Sequence, residues 1–495
     1  MQLDLSHIDY TYPGAAAPAL HGIDAVFPCG WTGIIGDNGC GKTTLALIAA
    51  RLLKPDAGSV HPQLFSAYCP QDSTEAPPDL SDFASDWSRE GRQVRELLRI
   101  DDEWLWRYPT LSGGQQKRIQ IACALRVRPD VLVLDEPTND LDSDTRELVE
   151  RTLASFRGIG LLISHDRALL DALVERCLMF ENGRAIMRPG GYTQVSSQAA
   201  QERSTAFKER EKARREADRL KAESRRRNEE AARQRSKRSR SGLDARDSDG
   251  RERIGRAIVS GKDGVAGKLA TTMERRLVRA EAELDARQVA KRYEARIDDC
   301  GSMARGRYVA HVEEGAIQAG EFVLRTPELW IGPTDRVGLC GANGTGKSLL
   351  VRQLRETVPP SVRSAYVPQE VSAATRERAL GLLRGHDAQQ RGRILALVAR
   401  LNSDPKRLLD GASLSPGELR KLLLAEQLLR DPSFLVLDEP TNHLDVGSIE
   451  ALQHLLAGFP GAVLLASHDE TLVEAVSTVR WQTETQDGSC RVRVL

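Results

Sequence analysis

The sequence predicts an α/β fold made of two domains of the same design, joined by a charged helical segment. Three observations carry this prediction. The chain has 495 residues, enough for two to four domains. A set of short motifs occurs twice in the same order, and the segment between the two sets is rich in charged residues and alanine. We name residues 1–195 the first copy, residues 196–300 the linker and residues 301–495 the second copy.

The duplication rests on five motif pairs whose offset hardly changes. The glycine-rich motif at Gly36 returns at Gly341 (341 − 36 = 305), and the acidic motif at Asp135 returns at Asp438 (438 − 135 = 303). Five matches in one order at nearly constant spacing indicate two copies of one domain. The pairs are GDNGCGKTT and GANGTGKSL, YCPQ and YVPQ, LSGGQ and LSPGE, VLVLDEPTNDLD and FLVLDEPTNHLD, and ISHD and ASHD.

Composition excludes several classes of protein. The 70 Lys and Arg residues balance the 70 Asp and Glu residues, so no overall basic charge marks a non-specific nucleic-acid binder. No run of about 18 apolar residues predicts a membrane span, and the first residues lack the pattern of a secretory signal. We therefore expect a cytoplasmic protein with no membrane segment of its own. The eight cysteines form no CxxC pair, which favours reduced thiols over a zinc site.

The glycine-rich motif of each copy fits the phosphate-binding pattern G-x-x-x-x-G-K-[ST]. Its glycines let backbone N–H groups converge on phosphate oxygens at a helix N-terminus, where the lysine meets the β- and γ-phosphates. The alternative is a tight turn between a strand and a helix. The motif occurs twice, each time with an acidic strand downstream, and this argues against that alternative. The predicted phosphate-binding residues are Gly36, Asp37, Asn38, Gly39, Cys40, Gly41, Lys42, Thr43 and Thr44, and Gly341, Ala342, Asn343, Gly344, Thr345, Gly346, Lys347 and Ser348.

An acidic pair ends an apolar strand in each copy. Asp135 and Asp438 stand where a carboxylate without a function would be costly to desolvate, so we expect them to hold Mg²⁺ and its water shell together with the hydroxyls of Thr43 and Ser348. The neighbouring Glu136 and Glu439 are suited to polarising an attacking water molecule; the alternative is exposed charge at a strand end.

One histidine follows a shorter apolar run in each copy. His165 and His468 stand in the same register, each beside an aspartate. A satisfied polar histidine is the usual role for such a residue, but its repetition favours contact with a γ-phosphate. These two histidines and the two glutamates are the predicted catalytic residues.

The linker carries a local positive charge. Residues 201–300 hold 29 basic and 20 acidic side chains, a charge near +9, so the rest of the chain is near −9. Apolar residues near heptad spacing predict two helices that form an antiparallel hairpin, and glycines and polar residues predict its tip at 241–268. The two seams are Ala206, Ala213, Ala217, Leu220 and Ala231, and Met273, Leu277, Ala280 and Leu284.

The ordered motifs together resemble those of a pair of ATP-binding-cassette (ABC) ATPases, over essentially the whole chain outside the linker. The resemblance implies two P-loop domains that face head to tail, with each ATP between the phosphate loop of one and the LSGGQ-type motif of the other. It implies that Gln71 and Gln369 sense Mg²⁺ and the γ-phosphate. Ser112, Gly113, Gly114 and Gln115 would close on ATP held by Lys347, and Ser415, Gly417 and Glu418 on ATP held by Lys42.

Two departures from that pattern concern the nucleotide. Pro416 replaces a glycine of the LSGGQ-type motif, which removes a backbone N–H and fixes φ near −65°, so the site built on Lys42 is expected to turn over differently. Tyr12 is the expected adenine-stacking residue of the first copy, with a packed surface tyrosine as the alternative. The equivalent count in the second copy reaches Ile317, which is not aromatic.

Two such domains in one chain with a charged linker of about 100 residues resemble the ABC-F proteins, which act on the ribosome. The resemblance implies an ATPase that works as a monomer, with rRNA and P-site tRNA contacted through residues 196–300. The physical basis is a basic run suited to RNA backbones, opposed by Glu229 and Glu230; a solvated spacer is the alternative. The run comprises Arg225, Arg226, Arg227, Arg233, Arg235, Lys237, Arg238 and Arg240.

Three features favour the branch that protects ribosomes from macrolide, lincosamide, streptogramin or pleuromutilin antibiotics. The stretch from Gln71 to Leu111 is short, the motif LSPGEL resembles that of resistance proteins, and the chain ends soon after the second ASHD. A general ABC-F translation factor, for stalling rescue or energy-dependent regulation, is the first alternative. The ATP-binding subunit of a membrane transporter is an alternative from another class, but it leaves the basic linker unexplained.

Overall fold

The structure, a computed structural model, describes residues 1–236, 262–286 and 300–495, apart from residues 16, 140, 182, 321, 370, 406, 407, 409–413, 487 and 488. The described residues fall into two compact units, one holding both copies and the other lying within residues 196–291. All eight cysteines are free thiols. Among the described residues, no helix has the length and apolar character needed to cross a membrane.

The first copy is built on a parallel sheet with the strand order β5-β6-β7-β3-β8-β9, in which only the last pair is antiparallel. A second sheet, β2-β1-β4, is antiparallel. Strands β6 and β7 are buried along their whole length, as their continuous apolar sequences predict. The strands are β1 (Gln2–Tyr10), β2 (Leu20–Pro28), β3 (Gly30–Ile35), β4 (Ala57–His61), β5 (Ser66–Cys69), β6 (Val131–Asp135), β7 (Ile159–Ile163), β8 (Arg176–Glu181) and β9 (Arg184–Pro189).

Helices connect the parallel strands of the first copy and carry the motifs at their N-termini. Helix α1 follows the phosphate loop, and α4 begins inside the LSGGQ motif. The helices are α1 (Lys42–Ala49), α2 (Leu80–Ser85), α3 (Arg89–Leu97), α4 (Gly113–Arg126), α5 (Ser143–Ala154) and α6 (Arg167–Leu173), with short 3-10 turns at Asp102–Trp106 and Tyr108–Thr110.

The linker unit contains two long helices, α7 (Tyr192–Ser236) and α8 (Lys262–Ala286). On α7, Ala217 and Leu220 are buried, and Ala206 and Ala213 are half-buried. On α8 the half-buried side chains include all four predicted ones: Met273, Leu277, Ala280 and Leu284. The heptad seams are therefore confirmed where the side chains are described. The side chains of Ala231, Arg233 and Arg235, and residues 237–261 with Lys237, Arg238 and Arg240, lie outside the described residues.

The second copy repeats the parallel order as β15-β16-β17-β14-β18-β19, and β12 and β11 extend the same sheet beyond β19. A short pair, β10 and β13, stands apart. The strands are β10 (Ala310–Val312), β11 (Gly315–Ala319), β12 (Phe322–Thr326), β13 (Leu329–Ile331), β14 (Arg336–Gly341), β15 (Ser364–Val367), β16 (Phe434–Asp438), β17 (Ala462–Ala466), β18 (Val479–Gln486) and β19 (Ser489–Val494). The helices are α9 (Lys347–Glu356), α10 (Ala373–Gly385), α11 (Ala388–Arg400), α12 (Pro416–Leu428), α13 (Val446–Gly458) and α14 (Glu470–Val476).

Candidate functional site

Each phosphate loop runs from the end of a central parallel strand to the first turn of a helix. Gly41 caps α1 with a φ of 101° and Gly346 caps α9 with a φ of 98°, a left-handed conformation that favours glycine. A Cβ on Gly41 would also lie 2.7 Å from the carbonyl oxygen of Ala19. The loops therefore hold the cradle geometry that the glycine pattern predicts.

Each loop folds around its lysine. The Nζ of Lys42 donates to the carbonyl oxygens of Gly36 at 2.8 Å and Asp37 at 3.0 Å. The Nζ of Lys347 donates to the carbonyl oxygen of Gly341 at 2.7 Å and lies 3.0 Å from Nε2 of His468. Both lysines are largely buried, so each loop contains one positive charge at its centre, where an anion would lie.

A hydroxyl and a carboxylate meet beside each lysine, as predicted. The Oγ1 of Thr43 donates to Oδ2 of Asp135 at 2.8 Å, and the hydroxyl of Tyr68 donates to the same oxygen at 3.3 Å. The Ser348 side chain hydrogen-bonds to Asp438 in the second copy. Burial raises the pKa of both aspartates, and these hydroxyl bonds oppose that shift.

Buried cations hold the backbones of the two predicted glutamines. The carbonyl oxygen of Gln71 accepts from Nζ of Lys117 at 2.9 Å, and that of Gln369 accepts from the guanidinium of Arg420. Both glutamine residues are exposed. Anchored backbones therefore leave the side chains free to approach a bound ligand.

The two glutamates share an unusual backbone conformation. Glu136 has a φ of 49° and Glu439 a φ of 46°, values that cost free energy for a residue with a Cβ. Their carboxylates accept the backbone N–H of His165 at 3.2 Å and of His468 at 3.1 Å. The same strain occurs at the same position of both copies, and strain of this kind is typical of functional sites.

Each glutamate also faces the histidine ring of its own copy. The Nε2 of His165 lies 3.2 Å from Oε1 of Glu136, and that of His468 lies 3.3 Å from Oε1 of Glu439, without hydrogen-bond geometry. Burial raises the pKa of Glu136 to about 8 and that of Glu439 to about 7. Burial also lowers the pKa of His165 and of His468, the latter to about 3. Near neutral pH the histidines are uncharged and the glutamates have pKa values suited to proton transfer.

The two copies meet head to tail at the first phosphate loop. The backbone N–H of Asn38 donates to Oδ2 of Asp445 at 3.3 Å, and its Nδ2 donates to the carbonyl oxygen of His443 at 3.1 Å. The Nδ2 of Asn402 donates to Oδ1 of Asp37 at 2.8 Å. Residues of the second copy thus complete the site built on Lys42, which we call the first site.

The site built on Lys347, the second site, receives residues from the first copy. The Nη1 of Arg146 donates to the carbonyl oxygen of His468 at 3.0 Å. Burial lowers the pKa of Lys347, and carboxylates including Asp142 of the first copy oppose that shift. Both sites are therefore composite, with one part from each copy.

The LSGGQ-type motifs begin their helices in the same way. Ser112 and Gln115 form a capping box on α4, with Oε1 of Gln115 accepting the Ser112 N–H at 2.9 Å; Ser415 and Glu418 do the same on α12. Pro416 occupies the first position of α12, where a missing N–H is tolerated. The proline therefore leaves the start of the helix unchanged.

The glycines after these caps differ in their surroundings. A Cβ on Gly417 would overlap the carbonyl oxygen of His443, whereas on Gly114 it would lie 3.4 Å from a Leu141 methyl group and on Gly113 it would meet nothing. His443 in turn contacts Asn38 of the first copy. The second LSGGQ-type motif is thus connected to the first phosphate loop through one backbone carbonyl.

Aromatic rings lie beside both phosphate loops. Tyr12 is 43% exposed, and its hydroxyl lies 3.1 Å from Oγ1 of Thr44. In the second copy the counted position holds Ile317, which is not aromatic. The ring of Phe322 instead lies beside the loop, 3.0 Å from the place of a Cβ on Gly346. Counting along the sequence missed Phe322 because the β11–β12 hairpin is tighter than the β1–β2 connection.

Sequence reasoning also missed three residues that cross between the copies. Asp445 is the last residue of a repeated motif, so the repeat itself could have pointed to this residue. Asn402 lies in a stretch with no repeated motif, and Arg146 corresponds to Ile449 in the second copy. The comparison of the two copies therefore gave no signal for Asn402 or Arg146.

Comparison with known proteins agrees with this architecture. The ABC transporter family profile matches residues 22–139 and 324–442. The chain is 28% identical to ATP-binding protein Uup of Caulobacter vibrioides, over 95% of this chain and 75% of that protein. It is 29% identical to the tylosin resistance ATP-binding protein TlrC of Streptomyces fradiae (90% and 91%) and 28% identical to the ribosome protection protein VmlR of Bacillus subtilis (89% and 79%). The solved structure of RNase-L Inhibitor shares the fold, with a TM-score of 0.62 at 18% identity over 98% of this chain and 90% of that one.

Proposed function

Because this chain belongs to the ATP-binding-cassette ATPases of the ABC-F type, we propose that it binds the ribosome when ATP closes its two copies, and that it protects the ribosome from antibiotics. The observation that carries the proposal is the head-to-tail contact in which Asn38 of the first phosphate loop meets Asp445 and His443 of the second copy. Phosphates bound at Lys42 would lie against both copies, so nucleotide binding and closure are coupled. Since one chain supplies both halves of each site, it acts as a monomer, in the cytoplasm where ribosomes are.

The chain is an ATPase, and we propose the following division of roles in hydrolysis. Lys42 and Lys347 bind the β- and γ-phosphates, Glu136 and Glu439 orient the attacking water and accept its proton, and the two histidines contact the γ-phosphate. The pKa values of the glutamates, raised to about 8 and about 7 by burial, suit this role near neutral pH.

The paired hydroxyl and carboxylate at each site fit Mg²⁺. Thr43 with Asp135, and Ser348 with Asp438, supply hard oxygen donors beside the lysine that would hold the phosphates. Gln71 and Gln369 would complete the donor set from exposed side chains. Bound there, the ion would neutralise charge that develops on the phosphates.

The linker is the proposed contact to rRNA and P-site tRNA. On the described part of α7, Arg225 and Arg226 are exposed, while Arg214 and Arg215 face Asp218 and Glu211 in i,i+4 ion pairs. Arginines bind RNA backbones without reading sequence. Arg225 and Arg226 therefore offer charge to a phosphate backbone, and Arg214 and Arg215 offer less; Arg227 faces Glu223 in an ion pair of the same kind.

Antibiotic protection, rather than general translation, is the branch we propose. The relatives TlrC and VmlR are named for tylosin resistance and ribosome protection. The similarity to ATP-binding protein Uup, whose name states no resistance, is at nearly the same identity, so a general ABC-F translation factor is the second candidate. The two functions differ in whether a ribosome-bound drug changes the effect of the protein on translation.

The test is bacterial translation in vitro inhibited by erythromycin, lincomycin or tiamulin. The proposal predicts that the protein restores synthesis with at least one drug, that Arg225→Gln/Arg226→Gln weakens this rescue, and that the matched pair Arg214→Gln/Arg215→Gln does so less. Translation that is rescued from none of the drugs would refute protection. If the protein then changes the rate of drug-free translation, the general factor is favoured.

A further inference from the structure

The two composite sites differ in one cationic contact. Arg146 lies in the second turn of α5, after the aspartate that caps this helix. Its Nη1 donates to the carbonyl oxygen of His468 in the second copy at 3.0 Å and lies 3.6 Å from Oδ2 of Asp166 in its own copy. The residue at the same place in the second copy is Ile449, which is buried in the core. We call this contact the Arg146 bridge. Within the described residues it runs from the first copy to the second, and Ile449 provides no counterpart.

The bridge joins the loops that carry the two predicted catalytic histidines. Asp166 follows His165, whose backbone N–H donates to Glu136 of the first site. On the other side of Arg146, the Nε2 of His468 lies 3.0 Å from Nζ of Lys347 and 3.0 Å from Oδ1 of Asn343. A shift of the loop that carries Asp166 therefore moves Arg146, and with it the backbone of His468 that Arg146 binds.

The charges around Arg146 favour a fixed position for it. It lines a cavity of about 310 Å³ between the copies. Among the described residues lining this cavity it is the one arginine, with the carboxylates of Asp144, Glu147, Glu150, Asp166, Asp469 and Glu470. With only about a quarter of its side chain exposed, Arg146 separates carboxylates of the two copies that would otherwise repel each other.

We propose that Arg146 is a positioning residue for the second site: it holds the backbone of His468, and so the imidazole beside Lys347, in a position set by Asp166 of the first site. Burial raises the pKa of Glu439 and the charge of Arg146 opposes that shift, but the atoms that Arg146 contacts are the carbonyl oxygen of His468 and the carboxylate of Asp166. The state of the first site thereby reaches the second through one side chain. In the reverse direction Ile449 stands in the place of Arg146, and the cation that crosses there, Arg167, binds the side chain of Gln453 and not the backbone of a histidine loop.

The test measures second-site hydrolysis alone, in a Glu136→Gln parent. The inference rests on the ATP sites proposed above, and a second site that does not hydrolyse ATP would show itself in this parent before Arg146 is changed. Arg146→Met is expected to lower kcat about tenfold with little change in KM, since a charge-assisted hydrogen bond is lost. Arg146→Lys is expected to restore most of the rate.

The matched control is Arg167→Met. The Nη1 of Arg167, which follows Asp166 in sequence, also crosses between the copies, to Oε1 of Gln453 at 3.2 Å, but this partner lies on α13 and not in the loop of His468. This variant is expected to keep kcat within about twofold of the parent. Equal losses for Arg146→Met and Arg167→Met, or a higher KM with unchanged kcat, would overturn the proposal.

A double-mutant cycle separates positioning from a general loss of stability. Asp166→Asn is expected to lower second-site kcat when Arg146 is present and to add nothing in Arg146→Met. Fully additive effects would overturn the proposal. If Arg146→Met does not fold, as judged by its thermal unfolding midpoint, the same cycle is measured with Arg146→Gln, which also removes the charge.

Discussion

Gly417→Ala should damage the first ATP site more than the matching change Gly114→Ala damages the second. The added methyl group at 417 would overlap the carbonyl oxygen of His443, which must retreat by about 0.6 Å to reach a 3.0 Å contact. His443 already has a φ of 63° and its carbonyl accepts from Asn38, so the movement strains the residue and weakens a contact between the copies. Overpacking of this kind costs about 1–3 kcal/mol, or about five- to 150-fold in rate.

The control isolates that cost. At Gly114 the methyl group would make an ordinary contact of 3.4 Å with Leu141. Helix propensity favours alanine in both variants, so this effect cancels in the difference. The assay is kcat/KM for ATP, with Gly417→Ala in a Glu439→Gln parent and Gly114→Ala in a Glu136→Gln parent. Equal losses would refute the link from the second LSGGQ-type motif through His443 to the first phosphate loop.

Three further predictions concern nucleotide binding and stability. Lys42→Ala and Lys347→Ala should each weaken ATP binding at their own site about 10- to 100-fold, since each removes a charge-assisted bond; unchanged affinities in a titration with a fluorescent ATP analogue would refute the phosphate-loop roles. Tyr12→Ala should raise the KM for ATP at the first site severalfold, whereas Tyr12→Phe should not, because the ring and not its bond to Thr44 would stack on adenine. Burial raises the pKa of Glu426 to about 7, so the stabilisation that this residue contributes is complete below about pH 4.5 and is lost as the pH rises through 7. The free energy of unfolding of Glu426→Gln, relative to that of the parent, should therefore rise by about 1–3 kcal/mol between pH 5 and 8.5 in urea unfolding. A difference that does not change with pH would contradict this.

The sequence predicted the parts of this fold that repeat. Asp135 and Asp438 end buried parallel strands because a continuous apolar run suits a strand covered on both faces. The phosphate loops could be located because their conformation demands glycine, as at Gly41 and Gly346. The alanine-rich seam of the linker was also visible, since it depends on heptad spacing alone.

The contacts between the copies could not be predicted in the same way. Arg146 and Asn402 act across a boundary that no local pattern describes, and each occurs in one copy. Phe322 reaches the second phosphate loop because the β11–β12 hairpin is tight. The number of residues between the ring and the glycine-rich motif therefore differs from that in the first copy. For Pro416, the sequence showed that a backbone N–H is missing. It did not show that the proline occupies the first turn of α12, where a missing N–H is tolerated.

We propose that ATP closes the two copies and that the closed form binds ribosomes. The most direct test is co-sedimentation of the Glu136→Gln/Glu439→Gln variant with 70S ribosomes, in ATP and in ADP, because loss of hydrolysis traps the closed form. The variant is expected to pellet with ribosomes in ATP and to pellet little in ADP. No pelleting in either nucleotide, or equal pelleting in both, would contradict it.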